Sequence, residues 1–206
     1  MIVSTRKSFP KKSYKGLGAA AITLIAVVVV LLVGGFWFAG GYNNLVSLDT
    51  KIQARASNID SQNKRRADLV PNLVATVKGY AKHESGVYKD IAEARSRLLS
   101  ANTQVNPKEA ASANASFNSS IGRLLALAES YPELKADKNF TALQDELTGT
   151  ENRLNLARVE FNDAVNSYNT AVRVFPGTVI AGFTGFKPHA FFEATETEKA
   201  TPKVEF

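Results

Sequence analysis

Residues 140–175 read FTALQDELTGTENRLNLARVEFNDAVNSYNTAVRVF, and this stretch decides the fold. Apolar or small side chains recur at Phe140, Leu143, Leu147, Thr150, Leu154, Ala157, Phe161, Ala164, Tyr168, Ala171 and Phe175. The steps alternate three and four without a break over five heptads. A 3.5-residue period specifies a helix in a left-handed bundle, because it keeps one stripe turned towards the neighbouring helices. One set of positions is large. The other is small after Leu143, which lets a neighbour approach closely on that side. Pro176-Gly177 stops the run.

The same period appears upstream. Leu73, Val77, Tyr80, Glu84, Val87, Ile91, Ala94 and Leu98 form one stripe. Ala110, Ala113, Phe117, Ser120, Leu124, Leu127 and Tyr131 form another. Asn106-Pro107-Lys108-Glu109 places Asn at N-cap, Pro at N1 and Glu at N3 of that helix. Leu45, Leu48, Ile52 and Ile59 form a further stripe, with Asp68 to Pro71 as its expected corner and Pro71 opening the next helix. The reading is all-α, with helices over about 43–67, 70–103, 107–130 and 138–174. Short loops make neighbours antiparallel. The expected organisation is a basic head (1–16), a transmembrane helix (17–41), an elongated bundle (42–175) and an irregular C-terminal tail (176–206).

Leu17 to Gly41 is 25 residues without a charge. As a helix it spans about 37 Å, enough to cross a hydrocarbon layer of about 30 Å. Phe36, Trp37, Phe38 and Tyr42 lie at its far end, where an aromatic belt belongs. The stretch is too long for a cleaved signal peptide, and bulky aromatics stand where small residues would be needed. A lipoprotein anchor is closed, because the chain has no cysteine.

The formal net charge is +6, and residues 1–15 hold five basic side chains and no acid. The remainder holds 20 basic and 19 acidic residues. The basic excess is therefore a topology signal: the head stays cytoplasmic and the body lies outside. It argues against a nucleic-acid surface on the body. Residues 51–97 carry ten basic and five acidic side chains, and residues 98–206 carry ten and thirteen, so the two halves attract one another. Gly35-x-x-x-Ala39 would let two spans approach.

No catalytic constellation emerges. His83-Glu84 is followed by Val87 where a zincin needs histidine. Glu84 falls on the inner stripe and reads as a buried polar contact. The last helix lacks the Glu-x-x-His pairs of di-iron bundles. No Ser lies in a nucleophile elbow. No catalytic, metal or cofactor site is expected.

The ordered set Tyr42-Asn43-Asn44-Leu45, Lys64-Arg65-Arg66-Ala67-Asp68-Leu69-Val70-Pro71-Asn72, Val77-Lys78-Gly79-Tyr80, Tyr131-Pro132-Glu133-Leu134, Asn139-Phe140, Glu151-Asn152-Arg153, Phe161-Asn162, Tyr168-Asn169 and Phe175-Pro176 resembles the bacterial LemA family over about residues 40–206. The resemblance implies one N-terminal anchor, an elongated helical bundle and no known enzymatic activity. Members of that family usually have Trp where this chain has Ala56 and a large aliphatic residue where it has Asn63. Two losses of bulk on one helix face predict a differently filled contact there.

Two candidate interaction sites remain. The cluster Lys64, Arg65, Arg66 and Asp68 either binds an anionic partner or pairs with Glu146, Glu151 and Glu160 of the last helix. The chain end Val204-Glu205-Phe206 has the form captured by carboxylate-binding grooves. In the tail, Phe183, Phe186, Phe191, Phe192 and Phe206 need a surface, either the bundle itself or lipid near the anchor. The functional expectation is a non-enzymatic scaffold or adaptor of the bacterial inner membrane. The alternatives are a sensory module working with a membrane partner, and an enzyme with an inward-facing pocket of acids. The expected partners are membrane lipid, an envelope or membrane protein and a second copy of the chain.

Overall fold

The computed structural model describes residues 18–193. The head 1–17 and the chain end, including Val204-Glu205-Phe206, lie outside the described residues. Six helices follow in order: α1 (Ala19–Tyr80), α2 (Ser85–Ser100), α3 (Pro107–Ser130), α4 (Pro132–Lys135), α5 (Lys138–Arg173) and α6 (Gly177–Thr184). No strand occurs among the described residues. The chain divides into two units, 1–41 and 42–206.

In the first unit, α1 contributes an apolar stretch long enough to cross a membrane once. Its most apolar 18 residues have a mean hydropathy of 2.7, and none of that window is buried. In the second unit most stripe positions form the core, but Phe175, which ends the longest stripe, is 74% exposed because α5 stops at Arg173. Phe140, Leu147, Thr150, Leu154, Ala157, Phe161, Ala164 and Tyr168 of α5 are all buried. On α3, Ala110, Ala113, Phe117, Ser120 and Leu124 are buried. The α3 start is capped as its residues require. Asn106 accepts from the Glu109 N–H at 3.2 Å, and its side-chain amide donates back to the Glu109 carboxylate at 3.2 Å.

The corner expected at Asp68–Pro71 is not there: α1 runs on to Tyr80, with Pro71 inside it. Proline breaks a helix partly because the carbonyl four residues earlier loses its donor. Here that carbonyl belongs to Ala67, and the Arg95 side chain of α2 donates to it at 2.8 Å. Ala67, Val70, Leu73 and Val77 are buried on either side of Pro71, so packing holds the helix through the defect. The turn falls at residues 81–84 instead. The stripe read from Leu73 to Leu98 therefore belongs to two helices, and Glu84 sits half-buried at the N-cap of α2 with no side-chain cap bond.

The buried apolar residues form two clusters. The first joins Leu45, Ile52, Ala56 and Ile59 to Leu154, Phe161, Tyr168, Ile180 and Phe192. The second joins Ala67, Leu73 and Val77 to Ile91, Leu98, Phe117, Leu124, Leu134, Phe140 and Leu147. The tail is less irregular than its composition predicts, because it opens with α6.

Candidate functional site

The boundary between the two clusters is polar on every long helix that crosses it. On α1 the first cluster ends at Ile59, the second begins at Ala67, and Asn63 and Arg66 lie between. On α3, Asn114 separates Ala111 from Phe117, and on α5, Thr150 and Glu151 separate Leu147 from Leu154. Asn63, Arg66, Asn114 and Thr150 are all buried.

Arg66 is the centre of this layer. Its side chain is 3% exposed and lies 2.8 Å from the half-buried Glu151 carboxylate. Its guanidinium donates to Asn114 at 3.3 Å and to Asn118, and covers the Phe117 ring at 4.9 Å from the centroid. Asn114 in turn donates to the Ala110 carbonyl at 2.9 Å. Arg158 reaches the same Glu151 carboxylate at 3.9 Å. Burial pushes the Arg66 guanidinium below the usual arginine range, Glu151 opposes that shift, and Arg158 adds to it. Two guanidinia on one carboxylate leave the layer electrostatically demanding. Among the described residues, Arg66 Nε, Arg158 Nε and the Asn63 side-chain oxygen are buried without a hydrogen-bond partner. Such a layer contributes little net stability. It penalises any slip that separates the charges, and so specifies register.

The basic cluster of the sequence thus divides. Arg65 pairs with Glu146 at 2.5 Å, Arg66 with Glu151, and, earlier on α1, Arg55 with Glu160 at 2.7 Å. Lys64 and Asp68 pair with each other at 3.3 Å on the surface of α1, and Asp68 also faces Arg95 at 3.9 Å. The two positions read from the resemblance as losses of bulk separate as well. Ala56 is fully buried in the first apolar cluster, and Asn63 falls in the polar layer.

The second feature is an arm, residues 186–193, strapped along α5. Asn169 accepts from the His189 N–H at 2.8 Å and donates to the His189 carbonyl at 2.9 Å. Asn162 treats Phe192 the same way, at 2.9 and 3.0 Å. Each asparagine replaces the two partners that a neighbouring strand would give. His189 lies 2.7 Å from Asp49 and edge-on to Tyr168, and Phe186 lies 5.7 Å from Tyr42 between ring centroids. Phe192 is buried, with the Arg158 guanidinium over its ring at 5.0 Å. The sequence placed Phe186 and Phe192 in need of a surface, and Asn162 and Asn169 appeared in the family resemblance without a role. The signal was present: an aromatic followed by Asn, twice, seven residues apart.

At the opposite end of the bundle, Asp137 caps α5 by accepting from the Asn139 and Phe140 N–H groups at 2.8 and 3.0 Å. Tyr80 donates to it at 2.8 Å. The Phe140 N–H, and then Tyr80, hold the Asp137 carboxyl below its ordinary value.

A cavity of about 530 Å³ is an open groove between α2 and α3 lined by Asp90, Arg97, four serines and Arg123. Its Asp90 is paired with Arg123 at 2.9 Å. Among the described residues no group of three His, Cys, Asp or Glu side chains is placed to hold a metal ion.

The chain is 26% identical over 214 residues to magnetosome protein MamQ of Magnetospirillum gryphiswaldense, covering 91% of this chain and 76% of that one. It is 26% identical over 216 residues to MamQ 1 of Paramagnetospirillum magneticum, with 91% and 79% covered. It is 26% identical over 172 residues to protein LemA of Metamycoplasma hominis, with 82% and 78% covered. The LemA family model matches residues 55–206, which include the arginine layer and both asparagine clamps, and the chain belongs to the LemA family.

Proposed function

We propose that this protein is a non-enzymatic scaffold or adaptor of the bacterial inner membrane, with its head cytoplasmic and its bundle on the far side. One observation carries the reading. A single helix, α1, holds both the uncharged, unburied stretch and the buried residues Leu45 to Val77 that form one wall of the bundle. That helix fits a single-pass membrane protein, and it leaves the bundle to present its outer faces to partners.

The outer face of α5 offers a surface of that kind. Leu156 and Val159 lie three residues apart and are 60% and 58% exposed, opposite the buried Leu154, Ala157 and Phe161.

Protease treatment of cells whose outer barrier has been opened tests the orientation. The bundle is digested and the head protected if the assignment holds. A bundle that stays protected until the inner membrane is lysed contradicts it. Turnover of any substrate by the purified full chain, abolished by one point substitution, would contradict the non-enzymatic part.

A further inference from the structure

Residues 174–186 form the longest uncharged stretch of the second unit beyond α5, and they are bracketed by Arg173 and Lys187. Within them α6 has two unlike faces. Gly177, Ile180 and Ala181 are buried against the bundle. Val179 is 41% and Phe183 80% exposed, one turn apart on the other face, and Val174 just before the helix is 50% exposed.

This corner is held in place. A Cβ on Gly177 would stand 1.9 Å from the Ala171 carbonyl oxygen, so only glycine permits the close approach of α6 to the end of α5. Gly185 closes α6 with a positive φ of 82°, its N–H bonded to the Ala181 carbonyl at 2.8 Å. Phe183 is therefore presented outward by a defined turn.

The ion pairs give its level in the bundle. Arg55 of α1 pairs with Glu160 of the antiparallel α5. Tyr42 is thirteen residues before Arg55, and Arg173 is thirteen residues after Glu160. Tyr42 and Arg173 are therefore level. The Phe186 ring, 5.7 Å from Tyr42, ties the far side of α6 to the same level. Tyr42 is covalently the first residue after the apolar stretch that ends at Gly41.

We infer that the α6 corner is a second membrane contact of this protein. Val174, Val179 and Phe183 enter the apolar boundary of the bilayer, and Arg173 and Lys187 reach lipid phosphates on either side. The inference rests on the membrane-anchored reading above. The occupant is lipid because the exposed apolar face stands level with the residue at which the chain leaves its apolar stretch. Its flanking charges are both cationic, the arrangement of an interfacial segment that favours anionic headgroups.

The test uses the full chain, reconstituted one copy per nanodisc in bilayers that contain anionic lipid. Trp37 is the one tryptophan of the chain, and in the unmodified protein its quenching by brominated lipids reports the anchor. In a Trp37→Phe background, tryptophan is then placed at Phe183, or at Leu156 as a reference. Phe183 is exposed, so the bundle tolerates the change, and helicity by circular dichroism confirms it. The inference expects Phe183→Trp to emit at shorter wavelength than Leu156→Trp and to lose most of its intensity to lipids brominated near the headgroup. Leu156→Trp is left unquenched. Water-like emission without quenching at Phe183→Trp overturns the contact while leaving the anchor intact. A blue shift without lipid quenching also overturns it, because a protein surface then covers the corner. Unquenched Trp37 in the unmodified chain would instead bring down the anchored reading itself.

Discussion

The two apolar cores of the bundle share three long helices, α1, α3 and α5, and are closed in different ways. The core around Phe117 is completed by α2 and by Leu134 of α4, which lie close to α3 in the chain. The core around Phe161 is completed by Ile180, Ala181 and Phe192, which come from beyond the last long helix. Between them lies the Arg66–Glu151 layer. The difference teaches that one core is sealed by local helical hairpins and the other by an arm that has to be caught. The arm is caught by polar groups, Asn162 and Asn169, and only then filled with an aromatic ring. An extended segment needs its backbone satisfied before it can be buried.

The comparison breaks most severely at Phe192. Phe192→Ala should cost about 3–5 kcal/mol in the first core. In full-length protein, amide hydrogen exchange should rise in residues 45–59 and 154–172, with residues 110–128 changed far less. Equal loosening of both cores would mean that they are one cooperative unit and the polar layer no boundary.

The layer itself comes next. Glu151→Ala leaves Arg66 buried without its carboxylate and should cost about 3 kcal/mol, whereas replacing Arg66 and Glu151 together by leucine should recover most of that loss. Chemical denaturation of the unchanged protein, Arg66→Leu, Glu151→Leu and the double leucine variant measures the coupling. Additive losses from the two single changes would show that the pair does not act as a unit.

Asn169→Ala strands the N–H and carbonyl of His189, at an expected cost of about 1–3 kcal/mol. Asn162→Ala should act in the same direction, and limited proteolysis within residues 186–193 reads both. Unchanged cleavage in both variants would remove the clamp from the account.

The smallest effect belongs to the far end of the bundle. The Asp137 carboxyl is held below its ordinary value in the folded state, so its contribution is complete above about pH 4, the unfolded value, and fades as pH falls through the lower folded one. Asp137→Asn should therefore flatten the acid limb of the thermal stability profile and leave neutral pH less affected. An unaltered acid limb would contradict the cap.

Much of this was legible in the residues, and the rest fails for identifiable reasons. The α5 and α3 stripes, and the Asn106 cap, are local patterns, and local geometry decides them. The corner after α1 was misplaced because the rescue of Pro71 comes from Arg95, whose side chain reaches Ala67 across the fold. No short-range rule contains that donor. The arginine layer was half visible. Asn63 stood out as a loss of bulk, and Glu151 was one of three acids expected to pair with the charge run, but only the α1–α5 register assigns it to Arg66 and Glu146 to Arg65. Asn162 and Asn169 stood in the family resemblance, but their clamping role was not legible, because they lie beside the stripe positions and their partners come from beyond α6.

The claim that α5 carries a partner surface on a membrane-bound bundle is tested most directly by photocrosslinking in living cells. A photoreactive residue is placed at Leu156 or Val159 of the full chain, and at Ser130, at the end of α3, for comparison. The account predicts one envelope or membrane protein trapped reproducibly from both α5 positions, lost when the neighbouring Asn155 is changed to a bulky charged residue, and absent from Ser130. Adducts that are the same from all three positions, or none from either α5 position, would contradict it.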